Sequence, residues 1–181
     1  MIETGTEGGR PCAGLHIHHN IMYKADIRSD REERGMYARC LSDSVVERNT
    51  FDGLDRFAIG LYAGSGGFNG PVEALVIQDN VIAYGRAFSI DSRLPTSVSI
   101  DRDVIFPCRT GVCPILGRDV GFVQGRGGTD HIRTFREWTG FEANGAVSDP
   151  LFVDRAARDY RLRPDSAAAG RAGALDPAPG G

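Results

Sequence analysis

The sequence predicts an all-β fold, a right-handed parallel β-helix (a solenoid) with a short C-terminal capping helix. Three observations lead there. The 181 residues include 24 Gly and 9 Pro, a turn-rich composition that disfavours a helical bundle. One apolar pattern recurs four times at intervals of 29, 31 and 23 residues. No helix-period segment separates those recurrences.

The repeated segments are Leu15-His-Ile-His-His-Asn-Ile-Met22, Ser44-Val-Val-Glu-Arg-Asn-Thr-Phe51, Leu75-Val-Ile-Gln-Asp-Asn-Val-Ile82 and Val98-Ser-Ile-Asp-Arg-Asp-Val-Ile105. Each reads as a short strand, a polar pair, an Asn or Asp, and a second apolar step. A further motif precedes three of them: Gly35-Met-Tyr-Ala38, Gly60-Leu-Tyr-Ala63 and Ala87-Phe-Ser-Ile90. Antiparallel hairpins would need tight two-residue turns, and a propeller blade needs about 40–45 residues. Coils stacked at the strand spacing of about 4.8 Å suit the period better. Stacking predicts apolar columns Leu15/Leu75/Val98, Ile17/Val46/Ile77/Ile100 and Met22/Phe51/Ile82/Ile105. It predicts a turn ladder Asn20/Asn49/Asn80/Asp103, whose amides bond to the next coil and whose backbone takes the left-handed corner.

The remaining elements follow in order. Residues 1–13 read as a lead-in, like a truncated coil, and because a solenoid needs capped ends we expect further coils upstream. Residues 14–128 hold the coils, with an irregular stretch from Pro107 onward. Residues 129–163 read as a C-terminal cap. Thr134 and Glu137 suggest a capping box for a short helix ended by Gly140, with Ile132, Phe135 and Trp138 plugging the core. Leu151/Val153 and Tyr160/Leu162 alternate as two closing strands. Residues 164–181, 13 of them Ala, Gly or Pro, read as a flexible tail. Among Cys12, Cys40, Cys108 and Cys113 there is no C-x-x-C pair. Cys108 and Cys113 bracket a loop that a disulfide would close, the alternative being two idle thiols.

The h-x-h-x-x-N-x-h unit resembles the repeat of the pectate-lyase-like superfamily of right-handed parallel β-helices. Thr134-Phe-Arg-Glu-Trp138, Asp149-Pro-Leu-Phe-Val-Asp154 and Asp159-Tyr-Arg-Leu-Arg-Pro164 resemble the closing segment of bacterial β-helix proteins, with departures at Arg158, Asp165 and Ala167. The resemblance covers roughly residues 14–166. It implies a carbohydrate-active protein acting on an acidic polysaccharide, by lyase chemistry ahead of glycoside hydrolysis. It equally admits a non-catalytic glycan-binding or structural module, because the scaffold does not fix the activity. It implies an extracellular or periplasmic setting, although the N-terminus carries no secretory signal.

The residues themselves bound the function further. A net charge of −3 argues against a nucleic-acid partner. No apolar run approaches the roughly 18 residues of a membrane span. The expected partner is a polysaccharide or oligosaccharide. Period-two alternation places His16 and His18 outward, and the outer columns continue as His18/Glu47/Gln78/Asp101 and His19/Arg48/Asp79/Arg102. These polar rows suit an extended glycan, as they also suit a merely solvated face. A metal shared by His16, His18 and Glu47 is the weaker alternative, so no metal is assigned. Tyr37, Tyr62 and Ser89 form a second outer column, with Arg39 and Asp91 near it. Aromatic faces pack on sugar rings and Arg pairs carboxylates. The substrate-binding candidates are therefore His16, His18, Tyr37, Arg39, Arg48 and Tyr62. The catalytic candidates are Lys24, which is the sole lysine, with Asp91 and Arg93. Uronate elimination needs a base for the C5 proton and positive charge on the carboxylate. No calcium-loop, phosphate-loop or dinucleotide motif is present, so no cofactor is expected, with calcium, lacking a motif, as the alternative left open.

Overall fold

The computed structural model describes residues 2–4, 12–24, 34–54, 56–62, 70–91, 94–107 and 120–175. Its strands come in threes. β1 (Ile2–Thr4), β2 (His16–His18) and β3 (Ile21–Tyr23) are followed by β4 (Arg34–Ala38), β5 (Leu41–Glu47) and β6 (Thr50–Asp52). Next come β7 (Phe57–Leu61), β8 (Val72–Gln78) and β9 (Val81–Ala83), then β10 (Phe88–Ile90), β11 (Ser99–Asp101) and β12 (Val104–Phe106). β13 (Gly121–Val123), β14 (Gly127–Thr129), α1 (Ile132–Thr139) and β15 (Ala146–Val147) precede a hairpin of β16 (Phe152–Asp154) and β17 (Asp159–Leu162).

Each triplet gives one strand to each of three sheets. The first sheet runs β1-β4-β7-β10-β13-β14, the second β2-β5-β8-β11, and the third β3-β6-β9-β12-β15. Every pairing is parallel except β13 with β14 and β16 with β17. The protein is thus mostly β, with stacked parallel sheets and one short helix. No helix among the described residues is long and apolar enough to cross a membrane.

Register follows the apolar columns. Ile17, Val46, Ile77 and Ile100 lie side by side, as do Met22, Phe51, Ile82 and Ile105. Leu75 and Val98 are buried, whereas Leu15, just before the edge strand β2, is 40% exposed. The Asn ladder forms as well: Asn20 N and Nδ2 donate to Asn49 Oδ1, Asn49 N and Nδ2 to Asn80 Oδ1, and Asn80 N and Nδ2 to Asp103 Oδ1.

Other expectations need correction. The left-handed corner falls on the residue before each ladder position, at His19, Arg48, Asp79 and Arg102, with φ of 53, 52, 55 and 64°. The Asn itself is left free to bond along the stack. The first-sheet register is Met36↔Ile59↔Phe88 and Tyr37↔Gly60↔Ser89, so Gly60-Leu-Tyr-Ala63 is offset by two residues from the motif it resembles. Inward apolar residues set the register, and Gly60 fills the outward position because the Phe57 ring lies over it, 2.5 Å from where a Cβ would stand.

The helix starts earlier than Thr134. Its N-cap is His131, with no side-chain cap, and Gly140 at φ 75° closes it. Phe135 stacks on Phe88 at 5.3 Å and plugs the core. In the hairpin Phe152 points inward while Val153 is 48% exposed, reversing the expected alternation on that strand. Residues 164–175, read from composition as the start of a flexible tail, are folded in turns. Ala168 and Ala172 pack with Val81, Val104, Phe152 and Tyr160, and Ala174 N donates to Thr50 Oγ1. Small side chains suit that close approach to the third sheet. A Cys12–Cys40 disulfide, which the sequence did not single out, ties the segment before β2 to the link between β4 and β5. Cys108 and Cys113 lie outside the described residues.

Candidate functional site

The outer face of the second sheet carries a continuous polar row among the described residues. Inward Ile17, Val46, Ile77 and Ile100 fix the outward row as His18, Glu47, Gln78 and Asp101, one residue per strand. Three spacings of about 4.8 Å make this row roughly 14 Å long. Within it, Glu47 is hydrogen-bonded to both flanking strands. His16 Nε2 lies 2.8 Å from Glu47 Oε1, and Gln78 Nε2 donates to Glu47 Oε2 at 2.8 Å. The His16 and His18 rings are 4.2 Å apart, and His18 Nδ1 meets His19 Nδ1 at 2.8 Å. At the far end Asp101 accepts from Asn144 N and Nδ2, both at 2.7 Å. The Gln78 amide, with His16 and Arg48, holds the Glu47 carboxyl below its usual value. Burial pushes Asp101 upward, but the Asn144 donors outweigh it and the net direction is down. Both carboxylates are therefore oriented acceptors.

Beyond Asp101 the row opens into a cleft of about 430 Å³, walled by Leu94, Val98, Ser99 and Asp101 on one side and by Thr139 and Phe141 on the other. Asn144, Phe141 and Thr139 went unnoticed in the sequence because they sit outside the repeat. The only available signal was the lone aromatic after the Gly140 helix stop. Arg48 occupies the corner between β5 and β6, where its Nη1 is buried without an acceptor among the described residues.

The second outer column is rebuilt by reach rather than register. The Tyr62 hydroxyl meets Ser89 Oγ at 2.6 Å, and the Tyr37 and Tyr62 rings pack edge to face at 4.9 Å. The protein's own cations cover this cluster: Arg39 stands 4.4 Å over Tyr37, and Arg34 lies 5.3 Å from Tyr37 and 5.8 Å from Phe57. Arg34 and Phe57 are further members that the shifted motif concealed. Asp91 follows β10 on this sheet and is 2% exposed.

Lys24 follows β3 in the third sheet, where its backbone N–H donates to Asp52 O. Here Asp52 accepts from Arg155 Nε at 2.8 Å and from the Tyr160 hydroxyl at 2.9 Å. Burial, then the Asp52 charge, drives the Tyr160 phenol upward. Arg155 lies 3.9 Å over Tyr84, and Arg158 bonds the Tyr23 hydroxyl at 3.0 Å. This cluster clamps the closing hairpin to the third sheet. The three catalytic candidates are thus not gathered on one face. Lys24 stands on the third sheet and Asp91 on the first, while Arg93 lies outside the described residues. No group of three or more His, Cys, Asp or Glu side chains arranged for a metal occurs among the described residues. Comparison of the chain with family models, curated proteins and solved structures yields no match, so what the second-sheet face can do is argued from its own geometry.

Proposed function

We propose that the three sheets are the walls of one right-handed parallel β-helix of the pectate-lyase-like kind, and that its second-sheet face binds an elongated glycan. Pairing of every third strand and the Asn ladder support the architecture. The observation that carries the function is the hydrogen-bonded row His16–Glu47–Gln78 leading toward Asp101 and the cleft beside Phe141. An extended sugar chain presents hydroxyls at regular intervals along one axis, and oriented carboxylates and amides match them. Phe141 supplies an apolar surface for a ring. An extracellular or periplasmic setting is part of this proposal, supported by the Cys12–Cys40 disulfide, since such bonds persist in oxidising compartments.

The test is calorimetric titration with oligosaccharides of alginate, pectate, glycosaminoglycans and neutral glycans. Saturable binding weakened at least tenfold by Glu47→Ala or Phe141→Ala supports the reading. Failure of every glycan class to bind overturns it.

A uronate lyase is the second reading, favoured by one observation: Lys24 and Arg155 flank Gly53 on the third sheet, with Tyr23 beside Lys24 in the chain and bonded to Arg158. A base, positive charge and a phenol are the types that elimination needs. Ultraviolet absorbance of an unsaturated uronate, lost in Lys24→Ala but kept in Glu47→Ala, would establish it.

A further inference from the structure

We infer that Asp103 and Glu142 hold one proton between them, and that this shared proton latches the 140–147 segment, and with it the far wall of the cleft, against the last ladder position. The inference concerns the wall itself, whatever the cleft holds.

The geometry begins with the ladder. In each inner coil the Asn amide nitrogen donates to carbonyls: Asn49 Nδ2 to Ile17 and Glu47, Asn80 Nδ2 to Val46 and Gln78. The same position on the last coil belongs to Asp103 Oδ2, an oxygen. By the repeat it faces the carbonyls of Ile77 and Asp101, which an ionised carboxylate repels. Glu142 is brought to the same place by its backbone, whose N–H donates to Ile100 O at 2.7 Å, and by a left-handed φ of 59°. Both residues are 0% exposed. Among the described residues, Asp103 Oδ2 and both Glu142 carboxyl oxygens are buried with no side-chain donor, and the Asp103 backbone N–H is the one donor turned toward the Glu142 carboxyl. What remains for Asp103 Oδ2 is the Glu142 carboxyl, and a hydrogen bond between two carboxyls requires a proton. Two ionised carboxylates so placed would be neither solvated nor paired.

The surrounding charges do not replace that proton. Asp79, from the turn after β8, and Asp101, on β11, add negative potential. Arg102 is bound bidentately to Asp79, and Asp101 is occupied by Asn144. Arg136 of α1 spends its guanidinium on the carbonyls of Glu142 and Gly145. Burial accordingly pushes Asp103 up, and burial and then the Asp103 charge push Glu142 up. In the unfolded chain both ionise near the ordinary value of about 4. Folding therefore takes up protons. The contribution to stability is full below that range and declines as pH rises, until the folded pair itself ionises. The latch closes in acid and loosens toward alkali.

Two measurements decide this. Carboxyl-carbon NMR of the wild-type chain at pH 7 should show one buried carboxyl still protonated, and both ionised already at pH 6 would overturn the inference. Urea unfolding from pH 5 to 8 should show the wild-type folding constant falling more steeply than that of Asp103→Asn or Glu142→Gln, by up to about tenfold per pH unit per proton. In those variants an amide N–H supplies the missing donor. Equal slopes in all three chains would overturn the inference. The NMR measurement needs no variant, so poor folding of either one leaves the question decidable, and neither readout contains a glycan.

Discussion

Asn49 concentrates at one residue what the coil stack requires of a side chain. Its Oδ1 accepts from Asn20, while its Nδ2 donates to Asn80 Oδ1 and to two carbonyls, all within buried or half-buried surroundings. Asn49→Ala should therefore cost about 3 kcal/mol or more, because several buried backbone groups lose partners at once. Urea unfolding measures it. One residue earlier, Arg48 holds φ 52°, a conformation that favours Gly. Arg48→Gly should be neutral or stabilising by up to about 1 kcal/mol in the same assay, despite the loss of a charged side chain. The ladder positions were legible in the sequence, since a lone polar residue at coil spacing inside apolar flanks has few other uses. The corner residue was not, because His, Arg and Asp share no side-chain signature and only the backbone is common to them.

At the scale of elements, close packing between neighbouring strands decides what each will tolerate. Gly35 on β4 lies against Phe51, whose ring carbon would stand 2.7 Å from an added Cβ. Gly121 on β13 lies under Phe135, 2.5 Å from the same imagined atom. Gly121→Ala should lift α1 from the end of the core and lower stability by about 1–3 kcal/mol, with loss of near-ultraviolet aromatic ellipticity from the Phe135 environment. The hairpin depends on a different contact. Asp52→Ala removes the acceptor of both Arg155 and Tyr160. It should raise hydrogen exchange in β16 and β17 while leaving the second sheet protected, and uniform loss of protection would argue that the hairpin is not a separate clamp. The β4–β7 alignment was misread from a Gly-x-Tyr likeness, since a glycine marks close approach without saying to which neighbour. Residues 164–175 were misread because small side chains serve a tight interface as well as a loose tail.

Across the whole molecule, the three-sheet pattern was legible because its period is carried by successive strand triplets. The polar row on the second sheet was legible for the same reason: alternation fixes which side chains face out. The cleft was not, since Phe141 and Asn144 come from a segment used once. Of the catalytic candidates chosen by chemical type, Lys24 follows a strand of the third sheet and Asp91 one of the first, a separation that spacing alone does not encode. Among the parts that repeat, the Asn ladder also has a polarity. Each position donates to the side-chain oxygen of the position that follows and its own side-chain oxygen accepts only from the one before, so the row of Oδ1 bonds reads in one direction. The inner positions donate and accept together, while Asp103 accepts from Asn80 and has no amide to donate. That asymmetry makes one atomic exchange mean opposite things at 49 and 103. Asn49→Asp interrupts the line by removing its donors, whereas Asp103→Asn merely extends the line by one more link, and a comparison of their melting temperatures should show the first far below the wild type and the second at or above it.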